Sequence, residues 1–399
     1  MAVMAGYKQT EVGVIPVDWK VLKLTEICSM KSGEGITSAN IDKFSKYPCY
    51  GGNGLRGYTT GFTHNGRYAL IGRQGALCGN VVGADGKFFA SEHAIVVTPL
   101  DQTDIRWLTF VLGRMRLNQY SESSAQPGLS VSKLLCLHEA IPPTKAEQQA
   151  IAAALSDADA LIEALEQLIA KKRHLKQGTM QELLTGKKCL PGFSGEWEET
   201  TLLELALGKK ELFDDGDWIE SEHISTAGVR LIQTGNIGIA QYVESDVKKY
   251  IYESSFVAIR CKEVREGDLL ICRLADPAGR ACVLPNIGDE KIITSVDVTI
   301  FRPPSATANR VFLANLFSTD KWFRAVSDRS GGTTHKRIAR GALGQLKIKV
   351  PKLLEQTAIA TILSDMDTEI AALETRLVKT RSLKQGMMHN LLTGKVRLV

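Results

Sequence analysis

An internal duplication constrains this sequence more than any other feature. Residues 143–187 match residues 351–395 at more than half of their positions. Leu155 corresponds to Leu363, and the offset of 208 residues is the same at both ends of the match. A match of this length without a gap indicates that one unit was copied within the chain.

A weaker similarity precedes each copy, where Trp19 and the leucines after it resemble Trp197 and its own leucines. Here the offset is 178, so the segment before the repeat is 30 residues longer in the second half. These middle segments are otherwise dissimilar. The order is therefore variable, repeat, variable, repeat. The predicted boundaries are 1–143 and 189–350 for two globular domains, and 144–188 and 351–399 for the repeats.

The repeats have the pattern of long helices. Apolar residues recur in alternating steps of four and three, which is the a/d spacing of a coiled coil. The predicted helix-pairing residues are Ile151, Leu155, Ile162, Leu165, Ile359, Leu363, Met366, Ile370, Leu373 and Leu377. Gly186 and Gly394 resemble C-terminal stops, and Gly178 and Gly386 are expected to bend or fray the late turns. We expect an antiparallel pair within one chain, in preference to a homodimeric coil or to helices that only pack on their own domains.

The variable segments combine short strands with helices, so the predicted fold class is α+β. The whole chain would have two globular, strand-rich domains separated by two long helices in an antiparallel coiled coil, with a pseudo-twofold duplication. Alternating apolar residues between glycine-marked turns predict the strands. The predicted strands are 68–71, 80–82, 88–90, 94–97, 229–232, 268–273, 281–284 and 296–300, and the predicted helices are 107–118 and 310–327.

Composition sets wide limits on function. The formal net charge is +5, which permits a polyanionic partner without requiring one. No apolar run reaches the length of a membrane span, and the N-terminus has no secretory signal, so we expect a cytoplasmic protein. The eight cysteines form no Cys-x-x-Cys pair, which favours reduced thiols over a zinc site.

Motifs for catalysis are absent from the sequence. Residues 52–57 spell G-x-G-x-x-G, but no apolar strand precedes them and no helix follows, so we expect a β-turn instead of a dinucleotide loop. There is no Walker A motif, no Asn-Pro-Pro-aromatic motif and no metal-binding array of histidines. His93 beside Glu92 is expected to be a core or surface histidine. We therefore expect no catalytic residue, no metal and no cofactor on this chain.

The duplicated layout resembles the specificity subunits of Type I restriction-modification systems, and the resemblance covers the whole chain. It is carried by Pro143, Glu147, Gln148 and Leu155 with their copies Pro351, Glu355, Gln356 and Leu363, by both Leu-Lys-Gln-Gly…Leu-Leu-Thr-Gly-Lys ends, and by the stretches 48–54, 71–75 and 267–271.

The resemblance implies that two target-recognition domains each read half of a split, asymmetric DNA site. It implies that the helices set the spacing and dock two modification subunits, which use S-adenosylmethionine to methylate adenine N6. Restriction subunits would join for ATP-dependent translocation and cleavage. This chain would be the non-catalytic reader.

Candidate DNA contacts are cationic or amide side chains in loops, because cations hold phosphates and Arg, Asn or Gln can bridge base edges. Arg73 and Arg273 are equally compatible with structural cations that are partly buried. The predicted DNA-binding residues are Gly52, Asn53, Arg56, Tyr58, Arg73 and Gln74 in the first domain, and Gln233, Asn236, Arg273, Arg280, His335, Lys336, Arg337 and Arg340 in the second.

Two other functions remain open from the sequence. The first is a non-catalytic coiled-coil adaptor with two ligand-binding modules, which would show no salt-dependent affinity for DNA. The second is a self-sufficient methyltransferase or nuclease, which would need a cofactor or metal pocket that the motifs do not indicate.

Overall fold

The structure is a computed structural model that describes residues 5–121, 127–274, 277–332 and 336–398. The chain divides into two compact units: unit 1 is Met1–Gln167 with Glu374–Val399, and unit 2 is Leu168–Leu373. Both divisions fall inside long helices, so each unit contains one globular domain and part of each helix. Over the described ranges, no helix has the length and apolarity needed to cross a membrane.

Unit 1 is built on two four-stranded sheets, with strand orders β6-β5-β10-β7 and β4-β11-β8-β9. All neighbouring strands in them are antiparallel except β5 and β10, which are parallel. The elements are β1 (Tyr7–Thr10), β2 (Gly13–Pro16), β3 (Lys20–Lys23), β4 (Cys28–Ser32), β5 (Tyr47–Gly51), β6 (Gly54–Thr59), β7 (His64–Asn65), β8 (Tyr68–Gly72), β9 (Val81–Ala84), β10 (Lys87–Ala90), β11 (Ala94–Pro99), α1 (Ile105–Arg114), α2 (Val131–Leu135), β12 (His138–Ile141) and α3 (Lys145–Leu183), which ends in unit 2.

The helix predicted at 107–118 is shorter in the structure. The Asp104 side chain caps α1 by accepting from the Trp107 N–H at 3.0 Å, and α1 ends at Arg114. Arg116 then has φ +49°, a left-handed conformation that an α-helix cannot contain, and a separate 3-10 turn follows at Leu117–Tyr120. The hydrophobic periodicity continues across this break, which is why the sequence indicated one helix.

Unit 2 has the same plan, with sheet orders β14-β21-β18-β19 and β15-β17-β16-β20 and a parallel pair β16 and β20. Its elements are β13 (Glu198–Thr201), α4 (Leu202–Leu205), β14 (Phe213–Asp215), β15 (Ile224–Ser225), β16 (Val229–Ile232), β17 (Lys249–Ile251), α5 (Glu253–Ile259), β18 (Leu269–Cys272), β19 (Ala281–Val283), β20 (Ile292–Thr294), β21 (Val298–Phe301), α6 (Arg310–Leu316), α7 (Asp320–Ser327), α8 (Arg340–Gly344), β22 (Lys347–Val350) and α9 (Leu353–Leu391), which ends in unit 1.

The single helix predicted at 310–327 is wrong, because the chain forms α6 and α7 there. The Thr319 hydroxyl accepts from the Trp322 N–H at 3.4 Å and caps a new helix. The Trp322 ring stacks on Phe317 at 4.1 Å between centroids, and its indole N–H donates to the Gly279 carbonyl at 2.8 Å. Packing around this tryptophan therefore stabilises the break.

The long helices α3 and α9 run from Lys145 to Leu183 and from Leu353 to Leu391 without interruption. The expected fraying at Gly178 and Gly386 does not occur, because both glycines lie inside the helices. The stops at Gly186 and Gly394 are confirmed by φ values of +67° and +69° shortly after each helix ends.

Ion pairs show that the two helices are antiparallel within unit 1. Asp159 pairs with Lys384, and Glu166 pairs with Arg381 at 2.5 Å. The residue number therefore rises along α3 as it falls along α9. Each pair joins partly exposed side chains, so it contributes mainly to register and at most about 1 kcal/mol to stability.

The same direction holds within unit 2, where Lys172 pairs with Glu369 at 2.6 Å and Lys176 with Asp367 at 2.5 Å. The Lys176 pair is the repeat equivalent of the Asp159 pair in unit 1, at the offset of 208. The duplication therefore reproduces this contact once in each unit.

The predicted helix-pairing stripe has two environments. Its N-terminal members Ile151 and Leu155 belong to the hydrophobic core of unit 1, and Ile359 and Leu363 to that of unit 2. The first turns of each helix therefore pack on their own domain. Of the whole stripe, Ile151, Leu155, Leu165, Ile359, Leu363 and Ile370 are buried, whereas Ile162, Met366, Leu373 and Leu377 are half-buried.

Candidate nucleic-acid interface

The predicted turn at residues 52–57 is a β-hairpin between β5 and β6, with Gly52 and Asn53 at its tip. A strand does precede it, contrary to expectation, but no helix follows. A Cβ on Gly52 would lie 2.6 Å from the Gln74 carbonyl oxygen, so only glycine lets the hairpin approach so closely. This approach brings the first two predicted loops, 51–58 and 73–74, together.

Arg56 extends from this hairpin. A Cβ on Gly51 would lie 2.4 Å from Arg56 Cδ, so the arginine stem crosses the glycine. Arg56 is exposed and has no ion pair among the described residues. Tyr58 beside it is half-buried, and Asn53 is exposed. The hairpin therefore presents a cation and an amide, neither of them buried.

Gln74 is held by His93, a contact that the sequence did not predict. His93 Nδ1 lies 2.9 Å from Gln74 Oε1, and a carboxamide oxygen can only accept, so the histidine donates. On its other side, His93 Nε2 lies 3.2 Å from Glu92 Oε1. The arrangement leaves both amide N–H groups of Gln74 without a partner among the described residues, available to an external acceptor.

Two positions are equivalent between the units because the backbone hydrogen bonds match. The Arg73 N–H donates to the His93 carbonyl at 2.8 Å. The Arg273 N–H donates to the Asp297 carbonyl at 2.7 Å. His93 in unit 1 therefore corresponds to Asp297 in unit 2, and the two domains have different side chains at one place of a shared framework.

The two arginines differ in burial. Arg73 is half-buried, without an ion pair among the residues described. Arg273 is 3% exposed and donates to Asp215 at 2.9 Å and to the Ile338 carbonyl at 3.0 Å. Arg273 is thus a structural cation, which is one of the two roles that the sequence left open for it. Arg340 is also occupied, in an ion pair with Asp214.

The loop 233–236 follows β16, at the position of the hairpin tip after β5 in unit 1. Asn236 is 5% exposed, and its amide accepts from the Gln233 N–H at 3.0 Å and donates to the Val243 carbonyl at 2.9 Å. Asn236 therefore shapes the loop from inside. The half-buried Gln233 lies at its start.

Arg280 supports the same loop through its guanidinium group. Its Nη2 donates to the Thr234 carbonyl at 3.3 Å and lies 3.8 Å from Cys272 Sγ. Burial raises the pKa of the Cys272 thiol, against the opposing effect of the arginine, so the thiol stays protonated at neutral pH. Arg280 therefore has no anionic partner among the described residues.

The remaining basic residues lie near the end of α7. Lys336 is exposed and donates to Ser327 Oγ at 3.0 Å, and Arg337 pairs with Asp297 at 2.8 Å while half of its side chain stays exposed. The predicted contact His335 lies outside the described residues.

Comparisons with known proteins agree with this architecture. Residues 16–172 and 195–380 match the family described as the Type I restriction modification DNA specificity domain. The specificity subunit of the Type I restriction enzyme EcoprrI of Escherichia coli is 44% identical over 156 residues, which are 38% of this chain and 39% of that relative. The chain thus covers less than half of that relative's length.

A second relative is the specificity subunit of the Type I restriction enzyme MjaVIII of Methanocaldococcus jannaschii. It is 26% identical over 272 residues, 65% of this chain and 62% of the relative. Among solved structures, the S subunit of a Type I restriction-modification system from M. genitalium aligns over 98% of both chains with a TM-score of 0.65 and 16% identity, which supports the fold. The chain belongs to the DNA specificity subunits of Type I restriction-modification systems, and it carries the specificity domain of that family twice.

Proposed function

We propose that each unit reads one half of a split, asymmetric DNA site, and that the chain has no catalytic activity of its own. The observation that supports this best is the shared framework with different side chains at equivalent places. A histidine that orients a glutamine stands where the other unit has an aspartate that pairs with an arginine. Such different hydrogen-bonding groups would select different bases, which favours two unlike half-sites.

The proposed contacts fall into two classes. Arg56, Arg280 and Lys336 would hold phosphates, because each is a cation without a carboxylate partner among the described residues. Gln74 and Arg337 would reach base edges, since both present N–H donors at the surface. Asn53, Tyr58, Arg73 and Gln233 complete the surface, with Gly52 permitting the close approach. Arg273, Asn236 and Arg340 would support it from within.

We further propose that the helices dock two copies of a modification subunit. Leu175 and Leu383 are repeat equivalents and are 56% and 63% exposed, each in its own unit. Two equal surfaces suit two copies of one partner. S-adenosylmethionine would bind to those partners, which would extrude and methylate an adenine, and ATP would bind to restriction subunits. In this proposal 1–143 and 189–350 are the target-recognition domains, and the protein acts in the cytoplasm.

The test is sequencing of N6-methyladenine in DNA from cells that carry this gene and its neighbouring modification gene. We expect a split motif with two unlike half-sites and a fixed gap, which disappears when only this gene is deleted. Methylation that survives the deletion in an active system would contradict the proposal and favour the adaptor function.

A point variant sharpens the test. Gln74→Ala should relax the base preference at one position of one half-site and leave the other half-site unchanged, because Gln74 belongs to unit 1 alone. Gln9→Ala, which removes an exposed glutamine from β1, is the matched control and should leave both half-sites intact. Relaxation of both half-sites by Gln74→Ala would contradict the assignment of one half-site to each unit.

A further inference from the structure

A cavity of about 720 Å³ lies in unit 2 beside the loop that follows β16. Gln233 and Thr234 of that loop line one wall. Trp218 is also part of the lining, and 69% of its surface is exposed. Trp218 belongs to none of the hydrophobic clusters of unit 2, and its indole N–H has no partner among the described residues. Core packing therefore does not account for this large aromatic residue.

The backbone that carries Trp218 has an equivalent in unit 1. A Cβ on Gly216 would lie 2.3 Å from the Thr294 carbonyl oxygen, and a Cβ on Gly33 would lie 2.2 Å from the Ala90 carbonyl oxygen. Both glycines are therefore required by the same close approach of a loop to the end of a strand. This match shows which residues of the two loops occupy equivalent positions.

The next residues confirm the register. Glu34 and Asp217 each donate an N–H, at 2.9 Å, to the carbonyl that crowds the preceding glycine. One position further, unit 1 has Gly35 and unit 2 has Trp218. The shared framework thus carries a bulky aromatic side chain in one unit and no side chain in the other, beside the loop proposed to face DNA.

The charges around the cavity indicate which part of DNA the indole would meet. Most acids of the lining are already paired, and Asp246 is exposed without an ion pair among the described residues. Lys249 also lines the cavity without an ion pair among the described residues, but the unpaired Asp246 offsets its charge, so the lining has no excess of positive charge to hold a phosphate. The pairs are Asp217 with Lys262 at 3.7 Å, Asp297 with Arg337 at 2.8 Å, and Glu244 with Arg230 at 2.6 Å.

We propose that Trp218 determines specificity in the half-site that unit 2 reads, through an apolar contact between its indole and the C5-methyl group of a thymine. The thymine methyl is the one apolar group that base edges present in the major groove, and a flat apolar side chain matches it. Unit 1 makes no equivalent contact, because Gly35 has no side chain. The inference rests on the proposed function, since it assigns one base contact within it.

The test compares a set of DNA probes on the complex assembled with its modification subunit. One probe carries the natural half-site of unit 2, and in the others each thymine of that half-site is replaced in turn by uracil, which lacks only the C5-methyl group. For the wild-type complex, we expect one replacement to weaken binding about 4-fold, the value of one buried methyl group. Trp218→Gly, which imposes the residue of unit 1, should bind thymine and uracil probes equally.

Methylation sequencing of cells with Trp218→Gly gives a second readout. One thymine of the unit 2 half-site should become degenerate, while the unit 1 half-site and the gap stay unchanged. The inference is overturned if that half-site contains no thymine, if no uracil probe binds more weakly, or if the variant keeps its discrimination. Because the wild-type motif is read in the same experiment, absence of any split motif would instead contradict the proposed function. Unchanged thermal unfolding of the variant checks that its fold is intact.

Discussion

Two buried glutamates at equivalent positions of the repeats should respond differently to the same substitution. Glu147 is 1% exposed, and the Arg397 guanidinium bonds to both of its oxygens. Glu355, at the offset of 208, is 5% exposed and has no ion pair among the described residues. The residue equivalent to Arg397 in the first repeat is Cys189, which cannot supply a charge. Substitution by glutamine keeps the size of each side chain and removes only its charge.

Glu147→Gln should destabilise unit 1. Removing one member of a buried ion pair costs about 3–5 kcal/mol when the other is left uncompensated. Here Arg397 retains Asp18, at 3.0 and 3.1 Å, and glutamine can still accept a hydrogen bond. We therefore expect a loss of about 1–2 kcal/mol, close to the value of one hydrogen bond to a charged group.

Glu355→Gln should leave unit 2 unchanged or stabilise it by up to about 1 kcal/mol, because burial alone raises the pKa of this carboxyl. With a raised pKa, the folded state binds its proton more tightly than the unfolded state does. Stability from this group is therefore greatest below the usual carboxyl pKa and falls as the pH rises through the raised pKa. Glutamine cannot ionise, so the variant should lose this part of the pH dependence.

The assay is hydrogen exchange of the full chain followed by mass spectrometry, with α1 reporting on unit 1 and α6 on unit 2. At neutral pH, Glu147→Gln should exchange about 5- to 30-fold faster in α1, since about 1.4 kcal/mol corresponds to a factor of ten. Exchange in α6 should be unchanged. Glu355→Gln should not accelerate exchange in either helix. Equal acceleration by the two variants, each in its own unit, would refute the reasoning, because it would show that the Arg397 pairing makes no difference.

Three further outcomes follow from contacts in the structure. Gln148→Ala and Gln356→Ala should each destabilise their own unit by about 1–3 kcal/mol, because each removes the acceptor of one backbone N–H, that of Asp104 or Asn309, and hydrogen exchange would detect the loss. Lys384→Asp should lower the free energy of unfolding slightly, by about 0.3–1 kcal/mol, and Asp159→Lys in the same chain should restore it. Thermal unfolding that neither variant changes would show that the pair contributes nothing. Arg280→Ala should weaken DNA binding by the assembled complex across all sequences and reduce the salt dependence of binding by about one charge. An unchanged salt dependence would show that Arg280 does not contact a phosphate.

The sequence revealed the repeats and the similarity around Trp19 and Trp197. It did not reveal why the sequence around the tryptophans is similar. A Cβ on Gly394 would lie 3.2 Å from the Trp19 ring, and a Cβ on Gly186 would lie 3.3 Å from the Trp197 ring. Each tryptophan therefore packs on the glycine that follows a long helix. The contact between Trp19 and Gly394 joins opposite ends of the chain, and such a contact leaves no local pattern in the sequence.

The shared framework of the domains could not be predicted, because strand pairing needs suitable apolar residues and no particular identities. The site was only partly predictable for the same reason. His93 reaches Gln74 across 19 positions, and Arg273 reaches Asp215 across 58, through sheet pairings that sequence spacing does not encode. Residue types and glycine-rich loops indicated which loops form the proposed surface. The orientation of each side chain depended on these long-range contacts.

The repeated helices are attached here to dissimilar domains. On the domain side, the attachment uses backbone groups, which do not depend on side-chain identity. Gln148 Oε1 accepts from the Asp104 N–H at 2.8 Å, and Gln356 Oε1 accepts from the Asn309 N–H at 2.9 Å. Asp104 and Asn309 differ in side chain but both cap the helix that follows, so both present the same backbone donor. A contact between two side chains would require both partners to change together. A backbone donor lets the surface of each domain change while its attachment to the long helix remains the same.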